Sequence, residues 1–306
     1  MAPANSTKHK HQKTMTFKQT FAGLCLLLGA YSLQPARAQA PDGDGYRLVW
    51  GDEFDYDGAP NPSKWSFEEG FVRNKEWQWY QPQNAVCRDG VMVITAKREL
   101  KPNPTYNPAS NQWGEKRQNI ECTSACVTTK GKRQFLYGRF EVRARIPATR
   151  GSWPAIWFLG ENGLKWPQNG EIDLMEFYPS KGTRSILANF CWGGKNGGSQ
   201  WNAKAVPFTH WTERDSLWAT QFHTWRMDWE EDYVRLYLDN ELLNEMDLSK
   251  TVNAKGGKGE GVNPFHTPMY LLLNLAMGSS GGPVDEATLP VRYEIDYVRV
   301  YQKTHQ

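Results

Sequence analysis

The sequence lacks a marked excess of charge of either sign. Its 36 Lys and Arg residues stand against 33 Asp and Glu residues, which gives a formal net charge of +3 over 306 residues. Because nucleic acids and anionic membrane surfaces attract concentrated positive charge, this balance favours neither as a partner. The sequence also lacks long apolar faces with the period of a helix, which argues against an α/β barrel.

Cysteine is scarce, with 5 residues in the chain. Cys25 falls in an apolar leader, and the others are Cys87, Cys122, Cys126 and Cys191. No Cys-x-x-Cys spacing with a pair of histidines is present, so a structural zinc is not predicted. In an oxidising compartment four cysteines permit two disulfides in any of three connectivities, and they can also pack as free buried thiols.

The first 40 residues have the pattern of a secretory signal peptide. Lysines precede an apolar run at 21–33, and small residues at 36–38 or 38–40 offer a cleavage site. The run is too short to span a bilayer, and Leu24 before Cys25 disfavours a lipid anchor. We therefore expect a secreted or periplasmic protein that is free of the membrane after cleavage. We also expect one domain at 41–306 and a monomeric state.

The remaining composition is typical of a protein with many β-strands. Aromatic residues make up 13% of the chain, with 27 Gly and 18 Pro. Alternation of polar and apolar residues predicts strands at 86–97, 137–146, 233–238 and 293–301. Polar residues and glycines at 193–218 predict a long loop, and its position after a strand that should border the acidic motif described next makes it a candidate cleft wall.

Three acids recur in one short apolar stretch, at Glu171, Asp173 and Glu176. Side chains alternate along a strand, so Glu171 and Asp173 share a face while Glu176 is out of phase. A β-bulge with Leu174 or Met175 as the extra residue returns Glu176 to that face. The pattern thus predicts a bulged strand with three acids on one surface.

Two neighbouring carboxyl groups are the requirement for retaining glycoside hydrolysis, in which groups ~5 Å apart act as nucleophile and acid. Repulsion between the two charges keeps one carboxyl protonated near neutral pH. Asp173, between them, can hydrogen-bond the nucleophile and share its proton. The alternative is that the acids only line the solvent-exposed face of an antiparallel sheet.

Tryptophans favour the catalytic interpretation, because their faces stack on sugar rings. The chain has 14, and Trp153, Trp157, Trp166 and Trp192 lie near the acidic motif in sequence. We expect Trp157 in the core, and Trp153 and Trp166 beside the substrate.

The segments around these acids resemble glycoside hydrolase family 16. They are the acidic motif at 171–176, the approaches at 151–157 and 166–170, and strand segments at 48–54, 128–131, 137–142 and 295–301. The bulged form of the motif is similar to that of the laminarinase-like and galactanase-like branches. The resemblance implies a concanavalin-like β-jelly-roll, an all-β sandwich of two antiparallel sheets with an open concave cleft. It also implies Glu171 as nucleophile, Glu176 as acid/base and Asp173 as their assistant.

By the same resemblance, Asn74 and Trp79 stand in a segment similar to one that forms negative subsites. Asn189 and Trp192 are candidates on another ground, because they lie on the strand that should border the acids. There the amide can hydrogen-bond sugar hydroxyls and the indole can stack on a sugar ring. For Asn189 a turn-capping role in a core strand is an equal alternative.

Family members often hold a structural calcium, and Glu53 and Asp296 occupy the corresponding places. The alternative is that they form salt bridges with Arg299 or Arg292. No cofactor is expected for catalysis.

The predicted function is endo-acting, retaining hydrolysis of β-1,3-glucan or mixed-linkage β-1,3-1,4-glucan, with the polysaccharide as partner. One alternative is hydrolysis of an algal galactan such as agar, porphyran or carrageenan. A noncatalytic glycan-binding module is another, because one sandwich supports many functions. Such a module would be expected to have lost Glu171 or Glu176.

Overall fold

The computed structural model describes residues 45–303. The predicted signal peptide at 1–40 lies outside the described residues and stays a prediction. Over the described range, no helix is both long and apolar enough to cross a membrane.

Regular structure in 45–303 is almost entirely β-strand. The strands in chain order are β1 (Tyr46–Asp52), β2 (Ser66–Glu68), β3 (Trp79–Tyr80), β4 (Ala85–Arg88), β5 (Val91–Pro102), β6 (Asn119–Ser124), β7 (Cys126–Thr128), β8 (Gly138–Arg145), β9 (Ser152–Gly160), β10 (Glu171–Ser180), β11 (Thr183–Gly193), β12 (Ser199–Pro207), β13 (His223–Trp229), β14 (Tyr233–Leu238), β15 (Glu241–Asp247), β16 (Met269–Met277) and β17 (Val291–Lys303). One short α-helix, α1, covers Thr209–Thr212. Short 3₁₀ turns lie at Pro82–Asn84, Lys195–Gly197, Trp218–Thr220, Leu248–Lys250, Pro264–His266, Ser279–Gly281 and Glu286–Thr288.

The strands form two stacked sheets. The 10-stranded sheet has the order β15-β14-β13-β8-β17-β5-β6-β3, with β1 beside β17 and β4 beside β5. The 7-stranded sheet has the order β12-β11-β10-β9-β16-β7-β2. Pairing is antiparallel except between β3 and β6. The predicted all-β antiparallel jelly-roll sandwich is confirmed.

Alternation along the strands builds the core between the sheets. In β8 the residues alternate between buried and half-buried, so that Phe140, Val142 and Ala144 point inward. Phe140 meets Phe158 of β9 edge-on, with ring centroids 5.1 Å apart. All nine residues of β16 are buried, because a second apolar cluster that includes Trp157 covers its other face. At β16 the seven-stranded sheet is therefore packed on both faces.

One expected loop contains a strand. Within 193–218 the structure has β12, which pairs with β11 from Ser185–Pro207 to Gly193–Ser199 at the edge of the sheet. The residues of β12 are exposed or half-buried. Because an edge strand that covers no core needs no alternation of apolar residues, the sequence pattern does not indicate this strand. The prediction of a loop is wrong here.

The cysteines of the described range form no disulfide. Cys87, Cys122, Cys126 and Cys191 are all buried free thiols. Each packs as a small apolar side chain, which was the alternative to a disulfide framework.

Phe158 offers a test of the core. Truncation of this fully buried ring in Phe158→Ala removes its contacts with Phe140 and leaves a cavity, which should lower the free energy of unfolding by about 3–5 kcal/mol. Denaturant unfolding measures the loss. The control Leu242→Ala, at a side chain that is 50% exposed, should change stability by less than about 0.5 kcal/mol. Equal effects would contradict the assigned core.

Candidate active site

A bulge in β10 brings the three acids together. Against β9, Asp173 pairs with Trp157 and Met175 with Ile156, so Leu174 is the extra residue. Against β11 the pairing steps from Asp173–Asn189 to Glu176–Leu187. The predicted bulge is therefore present. Leu174 and Met175 turn into the core between the sheets, and the next acid returns to the face of the first two.

The acids line a cleft of about 1110 Å³ on the outer face of the seven-stranded sheet. Four side chains predicted to bind substrate also line it: Asn74, Trp153, Trp166 and Asn189. Edge strand β12 supplies one wall, through Trp201, Ala203, Lys204, Ala205 and Pro207. The segment after β11 thus forms the cleft wall that the sequence predicted, although as a strand.

Glu171 accepts hydrogen bonds from two directions. The indole Nε1–H of Trp166 donates to its Oε2 at 2.9 Å, and Asp173 also hydrogen-bonds it. Burial raises the pKa of the Glu171 carboxyl to about 6, while both hydrogen bonds and the more distant charge of Arg73 oppose the shift. Of Glu171 and Glu176, Glu171 is therefore the acid that ionises first as the pH rises.

Glu176 is held by two donors. Trp153 Nε1–H donates to Oε1 at 2.9 Å, and Asn189 Nδ2 donates to Oε2 at 3.0 Å. Burial, followed by the negative charge of Glu171, raises its pKa to about 7. The side chain therefore keeps its proton at a pH where Glu171 has lost most of its own.

Asp173 is the most deeply buried of the three acids. Burial and the charges of Glu176 and Glu171 hold its pKa well above the usual range. Asn189 Nδ2 lies 3.3 Å from Oδ2, and the hydrogen bond with Glu171 favours the protonated form of Asp173. Asp173 therefore carries a proton that it donates toward Glu171. The arrangement can supply one carboxylate and one carboxylic acid on the same face.

Two expected substrate contacts lie elsewhere. Trp192 is 3% exposed and packs edge-on against Phe265 in the core. It stands three positions from Asn189 in a regularly alternating strand, so the two side chains point to opposite faces. Trp79 packs edge-on against Phe71, with ring centroids 5.3 Å apart, and does not line the cleft. Both are corrections to the predicted site.

Glu53 and Asp296 do not fit a shared calcium site. The guanidinium of Arg299 donates to both oxygens of Glu53, at 2.9 and 2.8 Å. Asp296 forms an ion pair with Arg143. Arginines thus occupy both carboxylates, and no cluster of three or more His, Cys, Asp or Glu side chains suited to a metal exists within 45–303. The salt-bridge alternative describes Glu53 with Arg299; for Asp296 the partner is Arg143 and not Arg292.

The cleft residues that the sequence did not predict include Trp157, which was expected in the core, and Arg73. Trp157 lies on the cleft face, where its Nε1–H donates to Asn274 Oδ1 at 2.7 Å. Arg73 covers its ring, with Cζ 4.9 Å from the centroid, and forms an ion pair with Glu68. Trp157 lies between Ile156 and Phe158 on β9, and neighbouring side chains on a strand point to opposite faces. Either Trp157 or its two neighbours must therefore face the core, but the sequence does not indicate which.

The open cleft holds two half-buried, hydrogen-bonded carboxyl groups with separated pKa values, and these are the features of a two-carboxyl glycoside hydrolase. Residues 72–299 match the model of glycosyl hydrolases family 16. The chain is also 35% identical over 298 residues to a β-glucanase of Rhodothermus marinus, an alignment that covers 91% of this chain and 92% of that protein. The chain belongs to glycosyl hydrolases family 16.

Solved structures agree on the fold. The laminarinase catalytic domain from Thermotoga maritima superposes with a TM-score of 0.68 and 33% identity, covering 86% of this chain and 100% of that one. A structure from work on endo-acting O-glycanases, which members of the human gut microbiota express to initiate mucin breakdown, gives a TM-score of 0.77 at 34% identity. It covers 88% of this chain and 94% of that one.

The two indole donors provide a test of the separate pKa values. Trp166→Phe removes the hydrogen bond that lowers the pKa of Glu171, so the acid limb of the pH profile of kcat/KM should move to higher pH. Trp153→Phe removes the corresponding bond to Glu176, so the alkaline limb should move to higher pH. Both profiles come from initial rates across pH 4–9, roughly two units either side of the two pKa values.

Each variant is the matched control of the other, because both lose one indole N–H and keep an aromatic ring. If both variants moved the same limb, or neither moved any, the assignment of these two carboxyls to the two limbs would be wrong.

Proposed function

We propose that the protein is a retaining endo-β-glucanase that cleaves β-1,3-glucan or mixed-linkage β-1,3-1,4-glucan. The observation that carries this proposal is the placement of Glu171 and Glu176 on one face of a bulged strand, each with its own indole donor and with separated pKa values. Similarity to a β-glucanase and to a laminarinase supports the choice of glucan. The two-carboxyl chemistry needs no cofactor.

The first step transfers the sugar to the protein. The carboxylate of Glu171 attacks the anomeric carbon while Glu176 gives its proton to the leaving oxygen, so the glycosidic bond breaks as the ester bond forms. Asp173 holds Glu171 through its own proton and remains protonated. The hydrogen bonds from Trp166 and Asp173 orient the Glu171 carboxylate before substrate arrives.

The second step releases the sugar. Glu176, now ionised, takes a proton from water as the water oxygen attacks the anomeric carbon and the ester bond to Glu171 breaks. Two inversions leave the configuration unchanged. Trp153 and Asn189 hold Glu176 in both states, because an amide N–H and an indole N–H bind a carboxylate and tolerate the neutral acid.

Endo action is supported by the form of the cleft. It extends over the outer face of the sheet from Asn74 and Asn274 on one side to edge strand β12 on the other, with the acids between. A polysaccharide chain can therefore lie across the site, with sugar units on both sides of the bond that is cut.

We also propose that the protein acts as a monomer. We further propose that it works in the periplasm or outside the cell, and the predicted leader sequence supports this export.

A second candidate substrate is an O-glycan. Similarity to the structure from work on mucin-degrading O-glycanases favours endo-hydrolysis of an O-glycan as a second candidate function. The algal-galactan alternative has no such support from these relatives, and we do not propose it. The binding-module alternative loses its basis, because both acids are present and hydrogen-bonded in the cleft.

The test is product analysis by mass spectrometry after separate incubation with laminarin, barley mixed-linkage glucan and mucin O-glycans. Glucan oligosaccharides that retain the β configuration, observed by NMR at early times, are the expected result. Products from the O-glycans alone would keep the mechanism and replace the substrate. Inverted products would overturn the mechanism.

Glu171→Gln should lower kcat by at least about a thousandfold, because the amide cannot attack the anomeric carbon. The amide oxygen can still accept from Trp166, so binding to the polysaccharide, measured by calorimetry, should persist. The matched control Glu161→Gln changes an exposed glutamate outside the cleft and should leave the rate unchanged. Substantial activity in Glu171→Gln would remove Glu171 from the nucleophile role.

A further inference from the structure

Four tryptophans line the cleft, and two of them already pack against other side chains of the protein. Trp157 is 8% exposed, and the guanidinium of Arg73 lies over its ring. Trp153 packs against Tyr178 in a T-shaped contact, with ring centroids 5.5 Å apart, and its indole N–H donates a hydrogen bond to Glu176. These two rings serve the catalytic machinery and the cleft floor.

The other two have exposed rings, although the indole N–H of Trp166 also donates to Glu171. Trp166 is 51% exposed and Trp201 is 44% exposed, and they are the tryptophans of the described range that stand out among its exposed large apolar side chains. Their ring centroids lie 6.4 Å apart at an interplanar angle of 53°. A tryptophan left in water forgoes the large stabilisation that burial of its ring would give. Two such rings side by side in a cleft therefore indicate a partner that covers them.

The strand register places Trp201 away from the reacting bond. Trp201 pairs with Cys191, and Cys191 pairs with Glu171, so the indole stands two strands from the nucleophile. With strands about 4.8 Å apart, the separation across the sheet is roughly 10 Å. That distance suits a sugar unit beyond the one attacked, on the β12 side of the cleft.

The surroundings of Trp201 leave room for such a unit. Its neighbours on the same face of β12 are Ala203 and Ala205, whose small side chains line the cleft without filling it. The indole Nε1–H donates to Ser199 Oγ at 3.2 Å, which restrains the ring. A ring that is oriented in advance costs less entropy when a sugar stacks on it.

We propose that Trp201, together with Trp166, forms a stacking platform for a sugar unit of the substrate beyond the point of cleavage, and that Trp201 sets the preference for longer chains. This proposal rests on the proposed glycanase function, but it does not depend on which polysaccharide is cut. The apolar face of a pyranose ring is the chemistry that fits two exposed indoles.

Trp201→Ala tests the platform on whichever polysaccharide of the panel the wild-type protein cleaves, with a series of oligosaccharides of the same linkage. We expect kcat/KM on the polysaccharide to fall about tenfold, mainly through a higher KM, because the lost contact binds ground state and transition state alike. The loss should shrink as the oligosaccharides shorten. Trp201→Phe should recover most of the loss.

The control Leu242→Ala removes a similarly exposed apolar side chain on β15, outside the cleft, and should leave every kinetic value unchanged. An equal loss on all chain lengths, or a fall in kcat alone, would overturn the platform while leaving the glycanase function in place. Failure of the wild-type protein on glucan but not on O-glycans would overturn the glucan assignment, and the chain-length comparison would still decide the role of Trp201.

Discussion

The site depends on one extra residue in β10. Without the bulge at Leu174, regular alternation would turn Glu176 into the apolar core, where a carboxyl without donors is very costly. With it, Leu174 and Met175 both enter the core, and the acid meets Trp153 and Asn189 in the cleft. The core and the site are thus set by the same irregularity: the apolar residues that the bulge buries hold the acids that it exposes.

Much of this was predictable because strands impose a period of two. The acids, the bulge and the sandwich follow from alternation and from the family resemblance. Trp192 could have been excluded from the cleft on the same ground, since its spacing from Asn189 gives it the opposite face. The orientation of Trp157 could not be predicted in this way, because β9 is buried on both faces and carries apolar residues at every phase.

Other features depend on contacts between distant segments, which a single sequence does not reveal. Arg73 reaches Trp157 from a loop, and Arg143 reaches Asp296 because the pairing of β17 with β8 shifts between Ile295 and Tyr297. Trp201 was missed for a different reason. It lies on an exposed edge strand, whose polar composition is also that of a loop.

The protein neutralises its buried acids with protons and polar donors more than with cations. Glu171, Asp173 and Glu176 have no ion pair among the described residues, and Arg73, whose charge acts on Glu171, is itself paired with Glu68. A cation in direct contact would lower the pKa values and leave both outer acids ionised at neutral pH, with no proton for a leaving group. Indole and amide donors instead hold the carboxyls in place and oppose the upward shift only in part. Burial can then keep Glu176 protonated while Glu171 ionises, which is the division of roles that a retaining glycosidase requires.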